Sequence, residues 1–168
     1  MAAKDTLSSH ERRLWTAFGA LIELLPARLD RMMSEDSGMG MFEFYVLDEL
    51  DRSENSTLRV SALAVSAEAA LPRMSKLVAR LEAEGKVDRW TCPSDGRATN
   101  VTLTDTGRKA LEAARPGHIA ALKALLFDPL NESQQKNLEF ITTILLERLN
   151  PTKEETQRLC SGTQELAE

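Results

Sequence analysis

The sequence predicts a mainly α-helical fold that carries one small β-hairpin. Apolar residues recur every three or four positions over long stretches at both ends of the chain, which is typical of amphipathic helices. Near the middle, two β-prone runs, residues 87–92 and 98–103, flank a polar connection at residues 93–97 that reads Pro-Ser-Asp-Gly-Arg. Two such runs joined by a turn of Pro, Asp and Gly predict a hairpin.

Two short helices are predicted directly before the hairpin. The first spans residues 62–66 with Ser61 as its N-cap, and after a turn at residues 67–69 the second spans residues 70–84. Helix, turn, helix and hairpin is the order of a winged helix-turn-helix, a motif that places one helix in the major groove of DNA. Leu58 is expected, with Val60, to make a short extended contact with the hairpin.

On the N-terminal side the pattern predicts a long helix over residues 8–35. Pro26 falls inside this helix, so a kink or local break is expected there. A loop over residues 34–40 leads to a second helix over residues 41–50. The apolar positions of this second helix that should face the core are Phe44, Leu47 and Leu50.

On the C-terminal side two more helices are predicted. Thr104 is the expected N-cap of a helix over residues 105–126, broken or bent near Pro116. Asn131 opens the last helix, with Gln134 three residues later in a capping-box arrangement. This helix stops before Pro151.

These elements predict a single domain over residues 1–168. A helical dimerisation region, residues 8–50 and 105–150, surrounds a winged helix-turn-helix lobe at residues 58–104, and residues 151–168 form a polar tail. Long terminal helices expose apolar stripes that must be buried somewhere. A two-fold homodimer that packs both ends against a second copy satisfies this requirement.

The charge of the chain is unevenly distributed. The formal net charge is −5, which by itself argues against nucleic-acid binding. Residues 59–109, however, contain nine basic and six acidic residues, whereas the rest of the chain contains twelve basic and twenty acidic residues. Phosphate attraction depends on charge within a Debye length of about 8–10 Å. The positive segment coincides with the winged helix-turn-helix.

The helix over residues 70–84 separates apolar from basic side chains. Its predicted core face consists of Leu71, Met74, Leu77, Val78 and Leu81. Arg73 and Lys76, with Ser75 beside them, lie near the N-terminal half, which usually enters the groove, and Arg80 is placed to contact a phosphate. A solvated helix face with three ordinary charges is the alternative. Pro72 fits the first turn, but Ala70 is a poor N-cap.

The tip of the hairpin presents Arg97 directly after Gly96. A guanidinium at the end of a narrow ribbon can enter a minor groove, where the potential is most negative over A·T-rich DNA. Asp95 cannot bind phosphate, because both carry negative charge. It is either a simple turn former or an ion-pair partner of Arg89 or Arg97 that orients the wing.

Three motifs in this order resemble the MarR family of bacterial transcriptional regulators. They are the helix end SKLVARLEAEGKV at residues 75–87, the wing D-x-R at residues 95–97, and VTLTDTG at residues 101–107. The resemblance covers roughly residues 10–150. It implies a homodimeric winged-helix repressor that binds a pseudo-palindromic double-stranded DNA operator, with Arg73, Ser75, Lys76, Asp95 and Arg97 matching the family's DNA-binding positions.

The resemblance also implies release from DNA by a small phenolic or other aromatic acid. Such an effector would bind between the dimer helices and the DNA-binding lobe. Candidate wall residues are Trp15, Phe44 and Tyr45, with Arg12 to hold a carboxylate. The alternative is that these aromatic residues are core or dimer contacts.

Other functional classes have less support in the sequence. A winged helix that binds only other proteins is the main alternative, but it would not need positive charge on the reading surfaces. The chain shows no metal-spaced cluster, nucleophile elbow or Gly-rich phosphate loop, so we expect no enzymatic activity, cofactor or metal. No apolar run could span a membrane, and the N-terminus does not resemble a signal peptide, so a cytoplasmic protein is expected.

Overall fold

The computed structural model describes residues 6–92 and 95–149, except for the side chains of Cys92 and residues 95–98. The chain divides into two compact units, Met1–Leu122 and Lys123–Glu168. In the first unit the helices and strands are α1 (Ser9–Ser37), α2 (Met41–Arg52), a 3₁₀ turn (Glu54–Ser56), β1 (Thr57–Arg59), α3 (Val60–Ser66), α4 (Leu71–Ala83), β2 (Val87–Cys92), β3 (Asp95–Leu103) and α5 (Asp105–Leu122). In the second unit a π-helical turn (Lys123–Phe127) precedes α6 (Glu132–Leu149).

The three strands form one antiparallel sheet in the order β1-β3-β2. Leu58 pairs with Val101, which confirms the predicted contact of Leu58 with the hairpin. Val60 was expected to share this extended contact, but it lies outside β1 because it is the first residue of α3. The predicted start of the second hairpin strand at residue 98 is wrong, because β3 begins at Asp95. The pairing is irregular there, and this shift in register lets the strand continue further toward its turn. Arg97 therefore lies in the strand, and residues 93–94 of the connection lie outside the described residues.

Helix α1 begins at a capping box and is longer than predicted. Ser8 Oγ accepts a hydrogen bond from the Glu11 backbone N–H at 3.2 Å, and Glu11 Oε2 accepts one from the Ser8 N–H at 2.7 Å. The helix runs through Pro26 without the expected break and ends at Ser37. Gly38 closes it with a φ of 71°, a left-handed conformation that favours glycine.

The start of α3 differs from the prediction. The helix begins at Val60, with Arg59 as the N-cap residue and no side-chain cap, so Ser61 is not its cap. The chain passes directly from β1 into α3, and Val60 is buried, so packing rather than capping sets this start. Helix α4 likewise begins after Ala70 without a side-chain cap, and Pro72 lies in its first turn.

The caps predicted for the C-terminal helices are confirmed. Thr104 Oγ1 accepts a hydrogen bond from the Gly107 N–H at 3.0 Å at the start of α5. Asn131 and Gln134 exchange backbone-to-side-chain hydrogen bonds of 2.9 and 3.0 Å before α6. Helix α5 continues through Pro116, where a break was expected, and passes at Lys123 into the π-helical turn.

The core of the first unit lies between α2, α4, the sheet and α5. Phe44, Leu47 and Leu50 of α2 are buried as predicted. The core residues of α4 are Met74, Leu77, Val78 and Leu81. Leu71 was predicted to join them, but its side chain is 51% exposed, because it opens the helix at the rim of the core.

Helix α5 is tied to α2 by a polar network beside this core. Arg115 lies 2.8 Å from Asp48 Oδ1 and 2.9 Å from Asp51 Oδ2, and Arg108 pairs with Asp51 as well. His118 stacks on Phe44 with ring centroids 4.3 Å apart. Burial lowers the pKa of His118, and the nearby Asp48 carboxylate opposes that shift only in part.

Helices α1 and α6 each expose a row of large apolar side chains. On α1 the exposed residues are Leu14, Trp15, Phe18, Leu21, Ile22 and Leu24. On α6 they are Phe140, Ile141, Ile144, Leu145 and Leu149. Each set recurs at helical spacing and leaves an apolar stripe uncovered within its own unit. Among the described residues, no helix combines the length and apolar character needed to cross a membrane.

Gly107 is required by close packing, and replacing it tests this part of the fold. A Cβ at Gly107 would overlap the carbonyl oxygen of Lys86, a backbone atom that cannot easily move. We expect Gly107→Ala to lower the free energy of unfolding by about 1–3 kcal/mol in urea denaturation. Gly19→Ala is the matched control, because a Cβ there meets nothing and should stabilise α1 by roughly 0.5–1 kcal/mol. Equal stability of the two variants would contradict this packing.

Candidate nucleic-acid interface

Helix α4 presents three distinct faces. Successive residues turn about 100° around the helix axis, which places Lys76 about 150° from the middle of the buried face. Arg73 and Arg80 lie about 90–110° from that middle on one flank, and Ser75 lies at a similar angle on the other. All four side chains belong to exposed residues. Lys76 is therefore the outermost of the three basic residues predicted to contact DNA.

The flank with the two arginines faces helix α2. The Arg73 guanidinium carbon lies 4.2 Å from the centroid of the Phe42 ring, which is a cation–π contact. Arg80 donates a hydrogen bond of 2.6 Å to Glu43 Oε2, and Glu84 lies 3.8 Å from its Nε. Two consecutive residues of α2 thus hold two basic side chains of α4. The Arg80 side chain stays 56% exposed beside its acidic partners.

The opposite flank of α4 faces the wing. Arg89 of β2 donates a hydrogen bond of 2.7 Å to Glu82 Oε2. A cleft of about 190 Å³ lies beside this pair, between α3, α4 and the sheet. Its lining consists of Val60, Ser61, Leu71, Ser75, Val78, Arg89 and Thr99. Arg89 therefore contacts α4. The predicted pairing of Asp95 with Arg89 or Arg97 involves the side chains of residues 95 and 97, which lie outside the described part of the structure.

The sequence pattern did not predict that Glu43 belongs to this site. Its side chain is buried, yet its two oxygens lie 2.6 Å from Arg80 and 2.6 Å from Lys86 Nζ. Burial lowers the pKa of Lys86, but the hydrogen bonds and charges of Glu43 and Glu84 outweigh this effect, so the pKa is raised. The signal in the sequence is a single acid inside the aromatic run Met41–Leu47, where a carboxylate needs cationic partners.

The four predicted effector contacts do not converge within one chain. Arg12 and Trp15 lie on the exposed first half of α1, and Trp15 is 64% exposed. The Met41 N–H donates to Asp30 Oδ1 at 2.8 Å, so α2 begins beside a residue about 22 Å further along α1 than Trp15. Phe44 is buried in the core, which agrees with the alternative reading of that residue, and Tyr45 is exposed.

A different cavity, of about 420 Å³, lies near Lys86. The end of α1, the loop that follows it, and α5 form its other walls. The lining residues are Asp36, Ser37, Gly38, Met39, Lys86, Ala110 and Ala113. The cavity therefore borders the same lysine that Glu43 holds. Within the described residues, no cluster of His, Cys, Asp and Glu side chains could hold a metal ion.

Comparison with solved structures identifies the family of the chain. Sco3205 from Streptomyces coelicolor, a MarR family transcriptional regulator whose crystal structure contains DNA, is 37% identical. The match covers 88% of this chain and 96% of Sco3205, with a TM-score of 0.80. The chain belongs to the MarR family. The predicted family and the predicted fold, a mainly helical winged helix-turn-helix, are both confirmed.

Curated relatives give shorter matches. An uncharacterized HTH-type transcriptional regulator of Bacillus cereus is 36% identical over 70 residues, which are 42% of this chain and 46% of that protein. The HTH-type transcriptional repressor IacR of Pseudomonas putida is 28% identical over 98 residues, 58% of this chain and 52% of that protein. The matched region thus spans about half the length of these curated relatives. No model of a known protein family matches the chain.

Proposed function

We propose that this MarR family member is a sequence-specific DNA-binding repressor. The observation that carries the proposal is the outward-facing Lys76 on a helix that α2 and the wing hold on both flanks. The similarity to Sco3205, which was crystallised with DNA, and to the repressor IacR supports the same function. The positive charge of residues 59–109 lies on this lobe, in a chain whose net charge is −5.

The DNA-contacting residues have different proposed roles. Lys76, with Ser75 beside it, enters the major groove, and Arg73 reaches the DNA from the α2 flank. Arg80 is a phosphate contact whose charge is partly balanced by Glu43. On the wing, Arg97 enters the minor groove and Asp95 orients the turn.

Two other functions receive less support. A winged helix that binds only proteins would not need an excess of positive charge on α4 and the wing. An enzyme is also disfavoured, because the relatives described above are named as transcriptional regulators.

The protein acts as a homodimer in this proposal. Helices α1 and α6 each expose an apolar stripe, and burying apolar surface contributes about 25 cal/mol per Å². A second copy with the same stripes is the occupant that gives a closed, two-fold assembly. A two-fold protein in turn requires an operator with two inverted half-sites.

Ligand control is the third part of the proposal. A cavity of about 420 Å³ suits a small phenolic or aromatic acid. Lys86 offers a cation and Asp36 an acceptor, while Ala110 and Ala113 offer apolar surface. A ligand that draws Lys86 away from Glu43 would disturb the carboxylate that holds Arg80, and so weaken DNA binding. Arg12 and Trp15 could reach such a ligand only from a partner protomer.

Selection from a random duplex pool at physiological salt tests DNA recognition. We expect an inverted repeat with half-sites about 10 base pairs apart. Lys76→Ala should weaken binding to it and reduce the slope of log K against log salt by about one, if the ammonium contacts a phosphate. Arg97→Ala should weaken binding by about 1–3 kcal/mol.

Lys136→Ala is the matched control for these variants, since Lys136 is exposed on α6 and pairs with Glu132 outside the basic lobe. It should bind the selected duplex as the wild type does. Recovery of unselected DNA would contradict sequence-specific recognition. Unchanged affinity of Arg97→Ala would remove the wing from the interface.

Sedimentation equilibrium tests the homodimer. The wild type should sediment at twice the chain mass of 18.7 kDa. Ile144→Lys places a charge in the apolar stripe of α6 and should raise the dissociation constant at least about tenfold, because the burial of one isoleucine is lost. Glu139→Lys places the same side chain at an exposed site on the opposite side of this helix and should leave the mass unchanged. A monomeric wild type at micromolar concentration would overturn the dimer.

Benzoate and phenol, titrated separately, test ligand control. We expect at least one of them to weaken retention of the selected duplex. Ala113→Leu fills part of the cavity and should abolish this effect, whereas Ala120→Leu, an exposed site on the same helix outside the cavity, should preserve it. An equal response in Ala113→Leu would place the ligand elsewhere, and no response to either probe would argue against this ligand class.

A further inference from the structure

In the contact between Phe42 and Arg73, the Phe42 side chain is packed against the core and the Arg73 side chain is exposed. Phe42 lies in the first turn of α2 and packs partly buried against the core. The start of that turn is anchored, because the Met41 N–H donates to Asp30 of α1. Arg73, by contrast, is exposed on α4 and rests on the Phe42 ring at 4.2 Å. The ring is therefore the stationary member of the pair.

Fixing an exposed arginine side chain in one conformation costs conformational entropy, because the long side chain has many rotamers. Stacking on a ring face selects the rotamers that keep the planar guanidinium parallel and close to that face. Such a contact leaves the N–H groups at the edge of the guanidinium free to donate to a nucleic acid. An arginine ordered before DNA arrives loses less entropy on binding.

We propose that Phe42 is a positioning residue that orients Arg73 for DNA, an inference that rests on the proposed DNA-binding function. Phe42 itself need not touch the DNA. Its ring sets the direction of an arginine on the neighbouring recognition helix, so that a residue of α2 determines part of the affinity of α4. Adjacent Glu43 holds Arg80 on the same flank, which shows that this turn of α2 is in contact with α4 at two points.

The first arm of the test reads the contact in the free protein. The Arg73 Nε–Hε resonance should be shifted upfield by the Phe42 ring current in the wild type. The shift should persist in Phe42→Tyr, which keeps the ring, and disappear in Phe42→Leu, which keeps only an apolar side chain. Circular dichroism establishes that both variants are folded. An Arg73 resonance that does not respond to Phe42→Leu would overturn the inference.

The second arm measures affinity for the duplex selected by the wild type. Phe42→Leu should weaken binding about two- to fivefold, the range expected for an exposed cation–π contact, and Phe42→Tyr should restore it. In an Arg73→Ala background, Phe42→Leu should have no further effect. In a Lys76→Ala background it should keep its full effect, because the cation–π contact of Phe42 is with Arg73 and not with Lys76.

The possible failures are distinguishable. If the wild type selects no duplex, the proposed function fails and this inference fails with it. If the wild type binds and Phe42→Leu binds equally well or more tightly, DNA recognition stands and the positioning role is refuted. An equal loss in the Arg73→Ala background would also refute it, because Phe42 would then act through general packing.

Discussion

The ion pairs of the buried Glu43 carboxylate are the interactions on which the arrangement of the winged helix-turn-helix lobe depends. A carboxylate removed from water costs several kcal/mol unless cations and hydrogen bonds compensate it. Glu43 lies in the first turn of α2 and accepts from both Arg80 and Lys86. Arg80 belongs to α4, and Lys86 to the turn that leads into β2. One buried charge therefore links α4, the helix with the proposed DNA contacts, to β2, the strand that begins the wing.

Lys86 also joins this link to helix α5. The Lys86 carbonyl accepts a hydrogen bond from the Thr104 N–H at 3.1 Å, and Thr104 Oγ1 donates to the Gly85 carbonyl at 2.7 Å. Gly107 packs against the same Lys86 carbonyl, so a side chain larger than hydrogen would push α5 away. The turn at residues 85–86 therefore contacts the start of α5 through its backbone and Glu43 through the Lys86 side chain.

Helix α2 is held at both of its ends by ion pairs. At its beginning it contacts α4 through Phe42 and Glu43, and toward its end Asp48 and Asp51 pair with arginines of α5. Between these ends, Phe44, Val46 and Leu47 are packed in the core. Protein interiors are packed as densely as organic crystals and transmit strain. Helix α2 therefore contacts both α4 and α5.

Local signals in the sequence determined the elements of this protein and their order. Some features depend only on residues a few positions apart and can be predicted without tertiary structure. They are the helical periodicity, the caps at Thr104 and Asn131, and the two strands of the hairpin. The basic residues of α4 were also correctly identified as exposed. The start of α3, the continuation of helices through Pro26 and Pro116, and the exposure of Leu71 depend on packing, which local patterns do not report. Only the tertiary structure could show that Glu43 and Phe42 hold arginines more than thirty residues away, because ion-pair and cation–π partners are chosen by proximity in space.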